Sequence, residues 1–288
     1  MTNTPSFYSP TASIERSEDS LRAYLAYLQQ RNGALEGEAA FAHREAGMAR
    51  FDGPLYPSRI HIEPQRFNRN YAKFRERDVS EEELALMAFV KINAGEAYGV
   101  EKTREIRKDL WSGTETCDRI ERAVLTEEDY HTRLLVGATR HFEGLSLGDG
   151  WTPPWTLALL IGGLARVPRA LFHPVLLGAE VSGLYSFNWL LGRLSSLFPD
   201  EPQLREAMEE RLIEVMVDEI GHVAFNRILV GEIGRRVGAA VAALVTQSHR
   251  VMSRELVALG FDNSAMLALA DFDYGHLPQT VRDRGFFV

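Results

Sequence analysis

Apolar residues recur along this chain at three- and four-residue spacing over long stretches, while the two-residue alternation of a half-buried strand is weak throughout. The pattern predicts an all-α fold. Two short amphipathic helices are expected over 17–30 and 36–50, followed by a proline-containing connection over 52–64. Four long helices come next. Ser80 with Glu83 three residues on has the form of a capping box and opens a helix to about Trp111. Thr114 or Thr116 opens a second, running to about His141. A Gly/Pro-rich loop over 144–154 leads into a short apolar helix over 155–166. The third long helix is expected to begin at about Pro174 and end before Pro199, and Pro202 opens the fourth, which carries on to about Arg236. A further helix is expected over 239–259. There is no internal repeat and no low-complexity tract.

A chain of 288 residues can bury one sizeable core, and nothing in the pattern forces a split. One domain is expected: a bundle core over 80–236, with a tail and accessory helices over 1–79 and a C-terminal helix and tail over 237–288 packing on it. The formal charge of −8 argues against a broad basic face and hence against nucleic acid as a partner. The single cysteine, Cys117, cannot form an internal disulfide, so a reducing, cytoplasmic setting fits. It reads most simply as a small buried apolar residue. The first 20 residues read as a polar tail, not a signal peptide. The most membrane-like stretch, 174–191, holds Glu180 at its middle, so it reads as a helix buried in a bundle and no membrane span is expected.

That glutamate belongs to the chain's candidate chemistry. Two Glu-x-x-His units, Glu128 to His131 and Glu219 to His222, lie on separate predicted helices, and each is directly preceded by a further acid, Glu127 and Asp218. Residues three apart share a helix face, so each Glu and His of a unit can point into the same space. One such match among eight histidines is expected by chance, and either motif alone is weak. Context strengthens them. Glu96 occupies a face otherwise made by Ile92, Gly99 and Val100, and Glu180 one made by Leu176, Leu177, Gly183 and Leu184. A buried carboxylate must be paired, protonated or bound to metal. Glu96, Glu128, His131, Glu180, Glu219 and His222 supply the six ligands of a di-metal carboxylate site in a helical bundle. Mixed oxygen and nitrogen donors suit iron or manganese, whereas a structural zinc site would want cysteines. Gly95, Gly99, Gly178, Gly183 and Gly221 lie inside helices near these positions and either open space beside the metals or allow close helix contact.

In these motifs the chain resembles the ferritin-like carboxylate-bridged di-iron superfamily, and specifically its oxygen-activating branch, which includes acyl-carrier-protein desaturases and multicomponent monooxygenases. The resemblance covers roughly 80–236. It implies a ferritin-like four-helix bundle with additional N- and C-terminal helices. It also implies bridging or chelating roles for Glu128 and Glu219, one metal each for His131 and His222, and terminal ligation by Glu96 and Glu180. Glu127 and Asp218 would accept the outer ring N–H of the histidine of the opposite motif. The cofactor implied is two iron ions, with a manganese–iron pair left open, and dioxygen as co-substrate.

Several branch markers are missing. The position one turn after the first motif histidine, tyrosine in ribonucleotide reductase small subunits, is Leu135. The threonine one turn after the third-helix glutamate in monooxygenases and desaturases is replaced by Gly183 and Leu184, and the extra histidine of arylamine N-oxygenases by Val215. The expectation is therefore an oxygenase acting on a small organic substrate in an apolar cavity, the Tyr185, Phe187, Trp189, Leu190 stripe lining that cavity or forming bundle core or a homodimer interface. Tyr98 and Tyr130 could gate access or carry electrons, or simply be packed. The chain shows no nucleotide-binding glycine fingerprint, so an external electron donor, a ferredoxin or flavin reductase, is expected. The alternatives are a desaturase or hydroxylase of a carrier-protein-bound acyl group, docking at Arg104, Arg107 and Lys108; a ferritin-like iron-binding ferroxidase; and a helical interaction protein without metal. His43, His61, His141, His173, His249 and His276 are read as structural.

Overall fold

The computed structural model of the chain describes residues 18–74, 79–147, 151–230, 245, 253–263 and 274–287. The described residues form helices, turns and loops, with no strand among them. In chain order the helices are α1 (Glu18–Asn32), α2 (Ala42–Met48), α3 (Pro64–Ala72), α4 (Glu81–Lys91), α5 (Ala94–Ile106), α6 (Thr116–Gly137), α7 (Trp155–Leu164), α8 (Arg169–Leu197), α9 (Pro202–Leu229), α10 (Arg254–Ala258) and α11 (Gln279–Arg284).

The fold is all-α, but several boundaries differ from those the periodicity predicts. The helix expected over 80–111 is two, because Ile92 and Asn93 break it. The Asn93 side chain bonds Thr132 across to α6, the kind of polar competition that unseats a helix turn, and α5 restarts with Glu96 in its first turn. Ser80 caps α4 as expected, its hydroxyl accepting from the Glu83 amide at 3.1 Å. The Glu83 carboxylate, however, pairs with Arg66 instead of closing the box. The third long helix starts at Arg169, not Pro174. Pro168 sets its first turn, and the single backbone bond that Pro174 forfeits lies close enough to the helix start to be borne. The segment after Glu63 contains α3, which the sequence reading missed, its Pro64 at the first position and its start capped by the Glu63 carboxylate. The helix expected over 239–259 lies mostly outside the described residues, which hold the helical Val245 and α10 there; the first 17 residues and the end of the expected fourth helix, 231–236, also lie outside them.

The core is built around α8 and α9. Leu177, Val181, Leu184 and Phe187 on α8, and Leu212, Val215 and Met216 on α9, are fully buried, each burial contributing about 1.5 to 3 kcal/mol. The stretch 174–191 is thus apolar because it packs inside the protein, and no helix among the described residues is long and apolar enough to cross a membrane. Helices α4, α5 and α6 complete the wall around this pair. Helix α1 lays Leu21, Tyr24, Leu25 and Leu28, spaced at three and four residues, against α6 and α9. That placement decides the surroundings of the site.

Candidate metal centre

The six candidate ligands rise from four helices: Glu96 from α5, Glu128 and His131 from α6, Glu180 from α8, Glu219 and His222 from α9. The structure brings them together. Glu128 presents one oxygen to each histidine, Oε2 at 3.2 Å from His131 Nδ1 and Oε1 at 3.1 Å from His222 Nδ1. Glu219 does the same, with Oε1 at 3.2 Å from His131 Nδ1 and Oε2 at 3.7 Å from His222 Nδ1. Two carboxylates therefore lie between two imidazoles whose ring centres are 5.6 Å apart. Glu180 joins on the His222 side, Oε2 at 3.8 Å from Nδ1. One atom each from Glu128, Glu180, Glu219 and His222 falls within 4.8 Å of the others. Glu96 approaches from α5, half-buried at the edge of a cavity and beside Gly183, where an added Cβ would lie 3.4 Å from its Oε1.

The outer ring nitrogens are held crosswise. Nε2 of His131 lies 3.0 Å from Asp218 of the second motif, and Nε2 of His222 lies 3.0 Å from Glu127 of the first. With Nε2–H donating outward, the lone pair of each neutral ring sits on Nδ1 and points at the carboxylates. An acceptor aimed at acceptors needs a proton or a metal cation between them. Both oxygens of Glu219, Oε2 of Glu180 and Nδ1 of His222 are buried without a hydrogen-bond partner, although an unsatisfied buried polar group costs about 1 to 3 kcal/mol and a charged one more.

The electrostatics follow from this crowding. Burial and the carboxylates of Glu219, Glu128 and Glu180 hold Glu96 well above the usual range. Burial together with Glu219 raises Glu180 to about 8. Burial would also raise Glu128 and Glu219, but the two histidines hold both below it. Burial by itself would lower His131 and His222, yet the surrounding acids, among them Glu128 and Asp218 for His131 and Glu127 for His222, raise both well above the ordinary imidazole value. Protons thus balance the charge of four clustered glutamates. Two divalent cations would balance it equally well, and the oxygen-rich donor set with two imidazoles fits first-row metals such as iron or manganese.

The support for the outer acids comes from parts of the chain the sequence reading set aside. Asp218, fully buried, is bonded by Arg31 of α1 and Arg44 of α2. These two guanidiniums hold its carboxyl well below the usual range against the opposing effect of burial. Asn32 of α1 donates to Glu127 Oε1 at 2.7 Å. Glu214, one turn before Asp218, gathers Arg31, Arg50 and Arg284. Asn93 contributes from the break before α5. With its amide nitrogen turned to the site it donates to Glu96 Oε2 at 2.5 Å and Glu128 Oε2 at 3.2 Å, while its oxygen accepts from Thr132. Arg31, Asn32 and Arg44 carry no local signal in the sequence, because only tertiary packing brings them to the motifs. Asn93 had one, as a polar residue on the apolar face of Glu96.

A cavity of about 210 Å³ opens beside Glu96, Glu128 and Glu180. Gly99 of α5, Leu125 of α6, Ile161 of α7 and Leu176 of α8 form part of its apolar wall. Of the two places open to the stripe, cavity wall or bundle core, Phe187 and Leu190 take the core, while Tyr185 and Trp189 pack edge-on against Phe261. Tyr130 donates to Glu45 and stacks on Phe41, and Tyr98 lines a surface groove with Lys102 over its ring. Of the proposed docking cations, Arg104 pairs with Asp129, and Arg107 lies 3.6 Å from Glu121.

Comparison of the chain with protein-family models, curated proteins and solved structures finds no match, so the reading of function rests on this geometry.

Proposed function

We propose that this chain is an oxygen-activating di-iron oxygenase of the ferritin-like four-helix type, oxidising a small organic substrate held in the apolar cavity. The observation that carries the reading is the pair of inward-facing Nδ1 atoms set against Glu128 and Glu219, each of which offers one oxygen to either side. Glu128, Glu219, His131 and His222 would hold the metals, with Glu96 and Glu180 completing the set. When bound, two irons would supply the redox chemistry that activates dioxygen. Glu127 and Asp218 fix the tautomer and orientation of the imidazoles, and Arg31, Arg44 and Asn32 hold those acids in place. The apolar wall keeps water from the reacting substrate. Reducing equivalents come from a separate ferredoxin or flavin reductase.

The apolar chamber favours oxidation of an organic molecule over iron storage, which has no use for one. The test is metal analysis of protein expressed with iron, followed by optical spectra as the reduced form is mixed with dioxygen. About two irons per chain and a transient visible band are the expected result. A fully folded protein that takes up no metal would overturn the reading.

A further inference from the structure

The cavity has a second polar end. About two turns before Glu128 on α6, Glu121 reaches its wall, and His173 reaches it from α8. Among the described residues these two form a polar pair there distinct from the metal-facing glutamates. The ring of His173 has a defined orientation. Asn226 Nδ2 donates to the His222 carbonyl at 2.9 Å, which leaves Asn226 Oδ1 as an acceptor, and His173 Nδ1 lies 2.8 Å from that oxygen. The Nδ1 of His173 therefore carries the hydrogen. In the neutral ring Nε2 is then a bare acceptor. It is buried, has no hydrogen-bond partner, and lies 3.4 Å from Glu121 Oε1, a second acceptor.

Glu121 cannot relieve this by turning away. Arg169 donates to its Oε1 at 2.6 Å, Arg107 stands 3.6 Å from Oε2, and the Cys117 thiol is 3.5 Å from Oε1. Arg169 is also bonded to Asp118, so its charge is shared between two acids. The His173 ring thus lines the apolar cavity with its Nε2 lacking a donor, beside a carboxylate oxygen that Arg169 already holds. A guest that brings an N–H or O–H group gives His173 Nε2 its donor with the Glu121 carboxylate as a second acceptor alongside, whereas one that brings only carbon or ether oxygen leaves Nε2 unsatisfied.

Resting on the reading of this cavity as the substrate chamber, we infer that His173 and Glu121 form a head-group site for a hydrogen-bond donor, a primary amine or an alcohol, on an otherwise apolar substrate. The apolar stem then runs between Leu125, Ile161 and Leu176 towards Glu96, Glu128 and Glu180. The position presented to the metal end is therefore a carbon remote from the head group.

The test is a ligand-observed NMR titration of the full-length protein, metal-depleted and iron-loaded, with 1-hexanol, hexylamine and methyl pentyl ether. The ether is isomeric with the alcohol but has no donor. At least one donor probe should bind about 10-fold tighter than the ether, equivalent to one net hydrogen bond of about 1.4 kcal/mol. The better of the two identifies the head. In His173→Phe that preference should disappear while the ether binds as well as before, and His173→Gln, which restores a polar group, should recover part of it. Equal binding of all three probes to the wild type overturns the assignment, whether or not either variant folds. So does a donor preference that survives in folded His173→Phe. Protein that takes up no iron yet prefers the donor probes would keep this site and remove the metal reading; protein that loads two irons but is indifferent to the head group would do the reverse.

Discussion

Asp218 of α9 lies 3.0 Å from the outer nitrogen of His131 on α6, and the same carboxylate is held by Arg31 and Arg44 from α1 and α2. One buried acid therefore ties the imidazole of the first motif to the second motif and to the N-terminal helices. Replacing it does two things at once: it frees the histidine ring and leaves the Arg31 and Arg44 guanidiniums with Glu214 as their remaining acid. Asp218→Ala is expected to cost about 3 kcal/mol or more in urea unfolding, as breaking a buried ion pair does. Glu127→Gln, whose neighbours are Asn32 and His222 and not arginines, is expected to cost about 1 kcal/mol. Equal losses would show that the arginines do not depend on Asp218.

Replacing either acid by its amide should also weaken metal binding. Partners of this kind are worth about 10- to 100-fold in metal affinity, so competition with a chelator should show Glu127→Gln and Asp218→Asn releasing metal at correspondingly lower chelator concentration. Unchanged affinity would mean that the rings keep their orientation by packing alone.

Glu128 faces both imidazoles with separate oxygens, so its loss touches both metal positions. Glu128→Ala is expected to drop metal content from about two per chain to one or none, measured by elemental analysis. Full loading would contradict the assignment of Glu128 as a metal ligand.

Two helix glycines should respond with opposite sign. A Cβ at Gly99 would meet only Ile161 at 3.9 Å, so Gly99→Ala should stabilise α5 by about 0.5 to 1 kcal/mol. A Cβ at Gly221 would sit 3.0 Å from the ring of Tyr24, which is fully buried and stacked on Phe225. Gly221→Ala should therefore cost about 1 to 3 kcal/mol. Chemical denaturation of both variants checks the contrast.

His141 provides a pH signature away from the metals. Burial, together with the charges of Arg211 and Arg140, pushes its pKa down to about 4, with its Nδ1 accepting from the Tyr56 amide. Its folded value lies below its unfolded one, so the unfolded chain binds the extra proton between them and stability falls as pH drops from about 6.5 towards 4. The contribution lost is of order 2 to 3 kcal/mol. His141→Phe should flatten that part of the profile in urea unfolding at pH 7 and pH 4.5. An identical slope in the variant would assign the loss to other groups.

The sequence by itself determined the helical class and the side chains that could meet. Three-residue spacing places Glu128 with His131 and Glu219 with His222 whatever the fold, because it is a property of one helix. Glu96 and Glu180 were legible for a related reason: a carboxylate on an apolar face is costly and stands out against its neighbours. What a local pattern cannot carry is distance across the molecule. Arg31, Asn32 and Arg44 look like ordinary surface residues of short N-terminal helices, and only the packing of α1 and α2 on α6 and α9 takes them to Asp218 and Glu127. The break at Asn93 also depended on a partner in another helix, Thr132, and the start of α8 at Arg169 was obscured because Pro174 reads locally as a helix start. The orphaned nitrogen of His173 was decided the same way. Its meaning comes from Asn226 and Glu121 on two other helices, so no spacing within α8 could have shown it.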